Sequence, residues 1–311
     1  MSTQATSESV KTQHSARLRG IVYMLIAVGS FACLDALLKL LAQFYPTMEV
    51  SALRGACSLP FLLLPTLLMG RARELKPVRW GWHLTRGLLQ IVTLATFIYA
   101  LRLLSLADTY AIFLSAPLIV TALSVPLLHE HVGWRRWIAI GVGMCGVLVI
   151  LKPTGSHLVT IGALAALASA ATYAASVVTV RMLTRTETTA SITLWPMIVM
   201  TVLTTAYAAP NWVGIRLEHW GWLLATGVVG AIGTRMLTEA FRAAPASVVT
   251  PFEYTALIWG VAIDWLLWSV LPATRVCVGG GLVIASGLFL IWRERQLRLT
   301  ELRGEPCAPH P

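Results

Sequence analysis

Three arginines and two glutamates stand inside stretches that are otherwise apolar: Arg54, Arg86 and Arg235, with Glu239 four residues after Arg235 and Glu253 two residues after Pro251. A guanidinium grips a carboxylate or phosphate with two prongs, while an acidic side chain pairs with an amine or carries a proton. The set suits an organic anion or a zwitterion. Asp35 and Lys39 are four apart, hence on one helical face, and form either an ion pair within their own helix or a gating pair. Tyr99, Tyr173, Trp195, Tyr254 and Trp259 also fall within apolar stretches. They furnish the wall of a mostly apolar binding cavity or pack between helices.

Other chemistries lack their residues. His129-Glu130-His131 does not have the H-E-x-x-H spacing of a zinc hydrolase, and "GVGMCG" (141–146) and "GGG" (279–281) follow no strand. Those glycines read as close helix contacts through small residues. Cys33, Cys57, Cys145, Cys277 and Cys307 stand singly and read as buried apolar side chains rather than a disulfide framework or a zinc site. Neither an enzyme nor any cofactor or metal is expected.

What positions these side chains follows from composition. With 57% hydrophobic and 12% charged residues in 311, and a mean hydropathy of +0.73, the chain has too much apolar surface for a soluble fold. A helix crosses a bilayer with ~20 mostly apolar residues. Ten stretches qualify: about 20–41, 47–69, 83–103, 107–128, 134–151, 159–181, 189–209, 219–241, 245–269 and 275–292. They are continuously apolar, not alternating, which excludes an outer-membrane barrel. Residues 1–16 and 296–311 read as polar, disordered tails.

The net charge of +10 is distributed by topology. Lys and Arg gather before the first span, between the second and third, at the start of the fifth, after the sixth, at the end of the eighth and after the tenth. Only Arg102, Lys152, Arg216 and Arg275 fall on the other side. This asymmetry puts both termini in the cytoplasm, in a bacterial inner membrane, and argues against a nucleic-acid partner.

The sequence also repeats itself. "WGWHLTRG" at 80–87 returns as "WGWLLATG" at 220–227, and the same offset of 140 lays Ala100 on Ala240 and Arg102 on Arg242. With one or two residues of shift, Gly20 falls near Gly162 and Lys39 near Arg181. The expected fold is all-α and integral to the membrane: ten transmembrane helices as two inverted five-helix repeats, over 17–152 and 153–295. Five crossings per half bring the second half in from the opposite face.

"ALRLLSLADTYAIFLSAP", "LLHE" (127–130), "GVGMCGVLVILKP" and "AFRAAPASVVTPFEYTALIWG" together resemble the EamA-type drug/metabolite transporter superfamily, which also holds nucleotide-sugar carriers. "EVSALRG" and "LTRGLL" are similar to its branch of organic-anion, S-adenosylmethionine and riboflavin-like carriers. The second half departs from the pattern, with Trp268-Ser269-Val270 where the family often has an acidic residue matching Glu130. The resemblance implies a secondary-active carrier of a small organic metabolite that works by alternating access. A channel or membrane sensor on the same fold is the alternative. The expected partners are the small-molecule substrate and membrane lipids; proton coupling and a homodimer are both compatible with this reading.

Overall fold

The computed structural model describes residues 2–68, 70, 72–128, 133–151, 157–183, 186–244 and 246–302, and their regular structure is helical throughout. In the first half α1 (Ser2–Leu41), α2 (Thr47–Leu68) and α3 (Trp80–Leu103) are spans one to three. α4 (Leu106–Phe113) and α5 (Ala116–Leu128) share the fourth, and α6 (Trp134–Leu151) is the fifth. In the second half α7 (His157–Leu183), α8 (Thr189–Ala208) and α9 (Trp220–Ala243) are spans six to eight. The ninth joins α10 (Ala246–Val249), a 3-10 segment (Thr250–Thr255) and α11 (Ala256–Trp268), and α12 (Thr274–Leu302) is the tenth.

Among the described residues, seven stretches are long and apolar enough to cross a membrane by length and composition. The other three spans are shorter, more charged or broken. α6 opens on Arg135 and Arg136, α9 carries Arg235, Glu239 and Arg242, and the ninth span is broken so that α11 keeps only 13 residues. Both ends extend past the expected spans, since α1 starts at Ser2 and α12 runs to Leu302. Adding a turn to a formed helix costs little compared with nucleating one. The 129–132 segment with Glu130, the 152–156 connection and residues 303–311 with Cys307 lie outside the described residues.

Packing between helices repeats when the halves are exchanged. Span one lies along span eight as span six lies along span three, while spans two and seven, and five and ten, pack on their own counterparts. Glycines mark the closest approaches. A Cβ on Gly20 would stand 2.6 Å from Ala244 Cβ, and one on Gly162 would stand 2.9 Å from Leu103 Cβ, so equivalent helices touch at equivalent places. The last glycines of the repeated Trp-Gly-Trp phrases behave alike. A Cβ on Gly87 would meet Val199 of α8, and one on Gly227 would lie 2.7 Å from the Cys57 carbonyl oxygen of α2. Without a hydrophobic drive between helices in lipid, such contacts are where association energy resides.

The loops repeat as well. Glu187, just ahead of α8, accepts from Val78 N and Arg79 N at 2.7 Å each, in the connection leading into α3. Glu49, in the first turn of α2, accepts from Val213 N at 3.0 Å, in the connection leading into α9. Each acidic group fastens the other half's loop. Burial pushes the Glu187 carboxyl up, but the Arg79 and Val78 N–H groups, with His83 and Ser191 beside them, outweigh that and hold it below the ordinary carboxylate range.

Two spans are broken. The ninth breaks at the 3-10 segment, which has Pro251 at its second position, as the sequence leads one to expect. The fourth, read from sequence as one continuous helix, breaks at Leu114 and Ser115, and Pro117 occupies the first turn of α5 where its missing N–H does no harm. An offset of 140 carries 114–115 onto 254–255, so the two breaks are equivalent. The cysteines also differ from expectation: Cys33, Cys145 and Cys277 are exposed, and Cys57 is half-buried.

The glycine contacts give a direct test. Gly227→Ala should lower the apparent thermal midpoint in detergent, because its methyl meets backbone. Gly221→Ala, in the same phrase with nothing within 4 Å, should leave the midpoint unchanged or raise it. Equal effects would mean that the closeness of α2 and α9 contributes nothing to stability.

Candidate functional site

Intramembrane charges need partners, because hydrocarbon supplies none. Following each charged side chain to its partner yields two polar groups at different depths. α1 begins at what we call the near face; its other end, and the start of α2, lie at the far face.

The far group is built on spans one, two, four and nine. Asp35 stands ~9 Å from the far end of α1 and Arg54 ~10 Å along α2, at matching depth. Tyr110 donates its hydroxyl to Asp35 Oδ2 at 2.7 Å, and the Arg54 charge lies within electrostatic range of both Asp35 and Tyr110. Lys39 does not pair with Asp35, although the two share a helix face. It reaches across the halves to Asp264 Oδ1 at 3.3 Å, with its ammonium 4.5 Å from the centre of the Trp268 ring. Asp35 is already held by Tyr110 and Arg54, whereas Asp264 offers a second carboxylate nearer the end of the span.

Asp264, which by position reads as a solvated residue near the interface, is 1% exposed. Its Oδ2 accepts from Ala107 N at 2.8 Å. That N–H is one of the unsatisfied donors in the first turn of α4. The start of α4 exists because Ser105 caps it, accepting from Asp108 N at 3.0 Å. The sequence spells this signal as Ser105-Leu106-Ala107-Asp108, a cap residue with an acid three positions on. Asp108, Tyr110 and the buried role of Asp264 are what sequence reasoning misses here; the cap signal was available, the contacts across the halves were not.

The near group joins spans three, six, seven and nine. Arg86, ~9 Å along α3 from the near face, donates through Nη1 to the Ile192 carbonyl of α8. That carbonyl is available because Pro196, four residues on, has no N–H to bond it. Arg86 Nε is buried without a partner among the described residues. Tyr173 lies within electrostatic range of both Arg86 and Glu253. Glu253 sits in the 3-10 segment of the ninth span, and among the described residues it makes no hydrogen bond or ion pair.

Aromatic rings connect the two groups. Tyr110 stacks on Phe97 with centroids 6.3 Å apart, Phe97 meets Phe113 edge-on at 5.3 Å, and Phe113 meets Tyr173 at 5.2 Å. The line runs from the far group to the near one through spans three, four and six.

The remaining expected residues are not gathered here. Arg235 is exposed on α9 and is not joined to Glu239; Glu239 pairs instead with Arg242 at 3.2 Å, one short turn closer to the helix end. Trp195 donates its indole N–H to the Leu75 carbonyl at 2.6 Å and lies 4.6 Å from Trp80, at the near face. Tyr254 is buried in the core, where Gly287 leaves room for its ring. Trp259 covers Gly29 of α1. Tyr99 is exposed, within electrostatic range of Arg102.

Comparison with known proteins follows the same two halves. Residues 18–152 and 160–293 each match the EamA-like transporter family. A riboflavin transporter of Vibrio cholerae serotype O1 is 25% identical over 286 residues, covering 90% of this chain and 96% of that protein. A pseudopaline exporter of Pseudomonas aeruginosa is 27% identical over 274 residues, 87% of this chain and 95% of that one. An S-adenosylmethionine uptake transporter of Rickettsia bellii is 25% identical over 277 residues, 89% and 94%. A solved crystal structure at 18% identity superimposes with a TM-score of 0.61 over 91% of this chain and 99% of its own, a likeness of fold.

The pair across the halves can be measured. Asp264→Ala strands the Lys39 ammonium and the Ala107 N–H together, and should destabilise the protein by about 3–5 kcal/mol, the range for breaking a buried pair. The double variant Lys39→Met with Asp264→Leu should lose clearly less than the two single changes added together. Additive losses in unfolding in detergent would show that the two side chains do not interact.

Proposed function

The chain belongs to the EamA-like transporter family, and from that premise we propose that it is a secondary-active carrier of a small organic metabolite bearing an anionic group, an organic anion or a zwitterion, moved by alternating access between two inverted halves. Family and relatives are transporters and not enzymes, and the chain is an integral membrane protein. The relatives' names include both uptake and export, so direction is not inherited from them.

The observation that carries the anionic reading is Arg86. Its guanidinium stays charged at any relevant pH, it lies inside the bundle on the Ile192 carbonyl, and no carboxylate pairs with it among the described residues. A carboxylate or phosphate on the substrate supplies the missing charge. Arg54, by contrast, has Asp35 within electrostatic range and serves the far group. Tyr173 and Phe113 form the apolar side of the site, and Glu253, unpaired and beside a break in its span, is the proton carrier. Of the other expected residues, Arg235, Glu239, Tyr99, Tyr254, Trp195 and Trp259 support the walls and ends of the spans.

In this reading Lys39 and Asp264 close the far side, since they join the halves there, and parting them opens it. In the same reading the near face, with both termini, lies in the cytoplasm of a bacterial inner membrane, which the basic connections support. The functional repeats run over 17–152 and 153–295.

Two experiments in proteoliposomes follow. Arg86→Lys, which loses the fork but keeps a charge, should weaken binding of a carboxylate ligand by about 1–3 kcal/mol and leave binding of the corresponding amide unchanged. Equal binding of acid and amide by the wild type removes the anionic reading. Glu253→Gln should abolish uptake driven by a proton gradient while substrate exchange persists; undiminished gradient-driven uptake assigns coupling elsewhere.

A further inference from the structure

Arg86 is not the only side chain on α3 with an unmet hydrogen bond. One turn on, the carboxamide oxygen of Gln90 is buried with no partner among the described residues. The spacing Arg86, Gln90, Thr93, Phe97 follows one stripe of the helix. Two members of that stripe have known neighbours: Thr93 donates to the Thr172 hydroxyl at 2.8 Å, one residue before Tyr173, and Phe97 belongs to the aromatic line. Gln90 therefore lies along α3 between Arg86, which reaches span seven, and Thr93 and Phe97, which meet spans six and four.

A buried acceptor without a donor is costly, and native proteins seldom keep one. Here a buried donor, Arg86 Nε, and a buried acceptor, Gln90 Oε1, are both unmet a single turn apart. Each asks for the opposite partner: Arg86 for an anionic oxygen, Gln90 for an O–H or N–H. A helical turn separates their backbone positions by ~5–6 Å, which sets the scale for the distance between the two groups on a ligand.

We propose that Gln90 determines specificity by accepting a hydrogen bond from a hydroxyl or N–H of the substrate, so that the carrier selects organic anions with a donor group about one helical turn from the acid. This rests on the anionic reading of Arg86 and narrows it. A site built to bond a polar group rejects the analogue that lacks it, because its own buried group is then left unpaired.

The test uses three small probes, γ-hydroxybutyrate, butyrate and γ-hydroxybutyramide, with affinity read from thermal shift of the purified protein, alongside Gln90→Met, which keeps the volume and removes the acceptor. Wild type should bind γ-hydroxybutyrate about three- to tenfold more tightly than butyrate, the size of one hydrogen bond. Gln90→Met should bind the two acids equally and, without ligand, melt no lower than wild type. If wild type binds the two acids equally, Gln90 reads no donor and the proposal falls while the anionic reading stands. If the amide binds as well as the hydroxy acid, the anionic reading falls and takes the proposal with it. A Gln90→Met protein that melts well below wild type without ligand would overturn it too, because Gln90 would then be held by the protein itself.

Discussion

Asp264 ties together parts of the chain that are far apart in sequence. One carboxylate oxygen holds the Lys39 ammonium of span one and the other holds the Ala107 N–H at the start of α4. In water either bond is worth little. Inside a bundle surrounded by hydrocarbon the alternatives are an unpaired charge and an unpaired backbone donor, both expensive. The first and fourth spans, from one half, are thereby fixed against the ninth, from the other. The start of the fourth span is secured in the same way, since the first turn of α4 is capped by Ser105 and by Asp264.

The same requirement explains the near side. Pro196 removes one backbone donor from α8, and Arg86 comes across from α3 to the carbonyl so released. A proline thus fixes where a guanidinium rests. What that leaves unsatisfied, Arg86 Nε, points to chemistry the protein does not supply from its own described residues.

The halves are alike in their helix contacts and unlike in their charges. Gly87 and Gly227, Gly20 and Gly162, and Glu187 and Glu49 do equivalent work in the two halves. Yet the offset that relates them carries Asp264 onto Ser124, whose hydroxyl bonds the Thr121 carbonyl of its own helix. The helix scaffold is therefore symmetric, while its polar groups differ between the halves.

Sequence by itself determined the ten spans, the inverted repeat, the family and the break beside Pro251, because these depend on apolar length, on an offset that can be counted, and on a residue with no N–H. It also showed which charges stand within the spans. It did not show their partners. Asp35 with Lys39 and Arg235 with Glu239 are the pairs that helical spacing proposes. The structure gives Tyr110, Asp264 and Arg242 instead, two of these across other helices. Spacing along one helix says which residues share a face, but in a bundle each face meets another helix. A charge goes to whichever neighbour removes the larger desolvation cost, and only the tertiary arrangement of spans one, four and nine decides which neighbour that is.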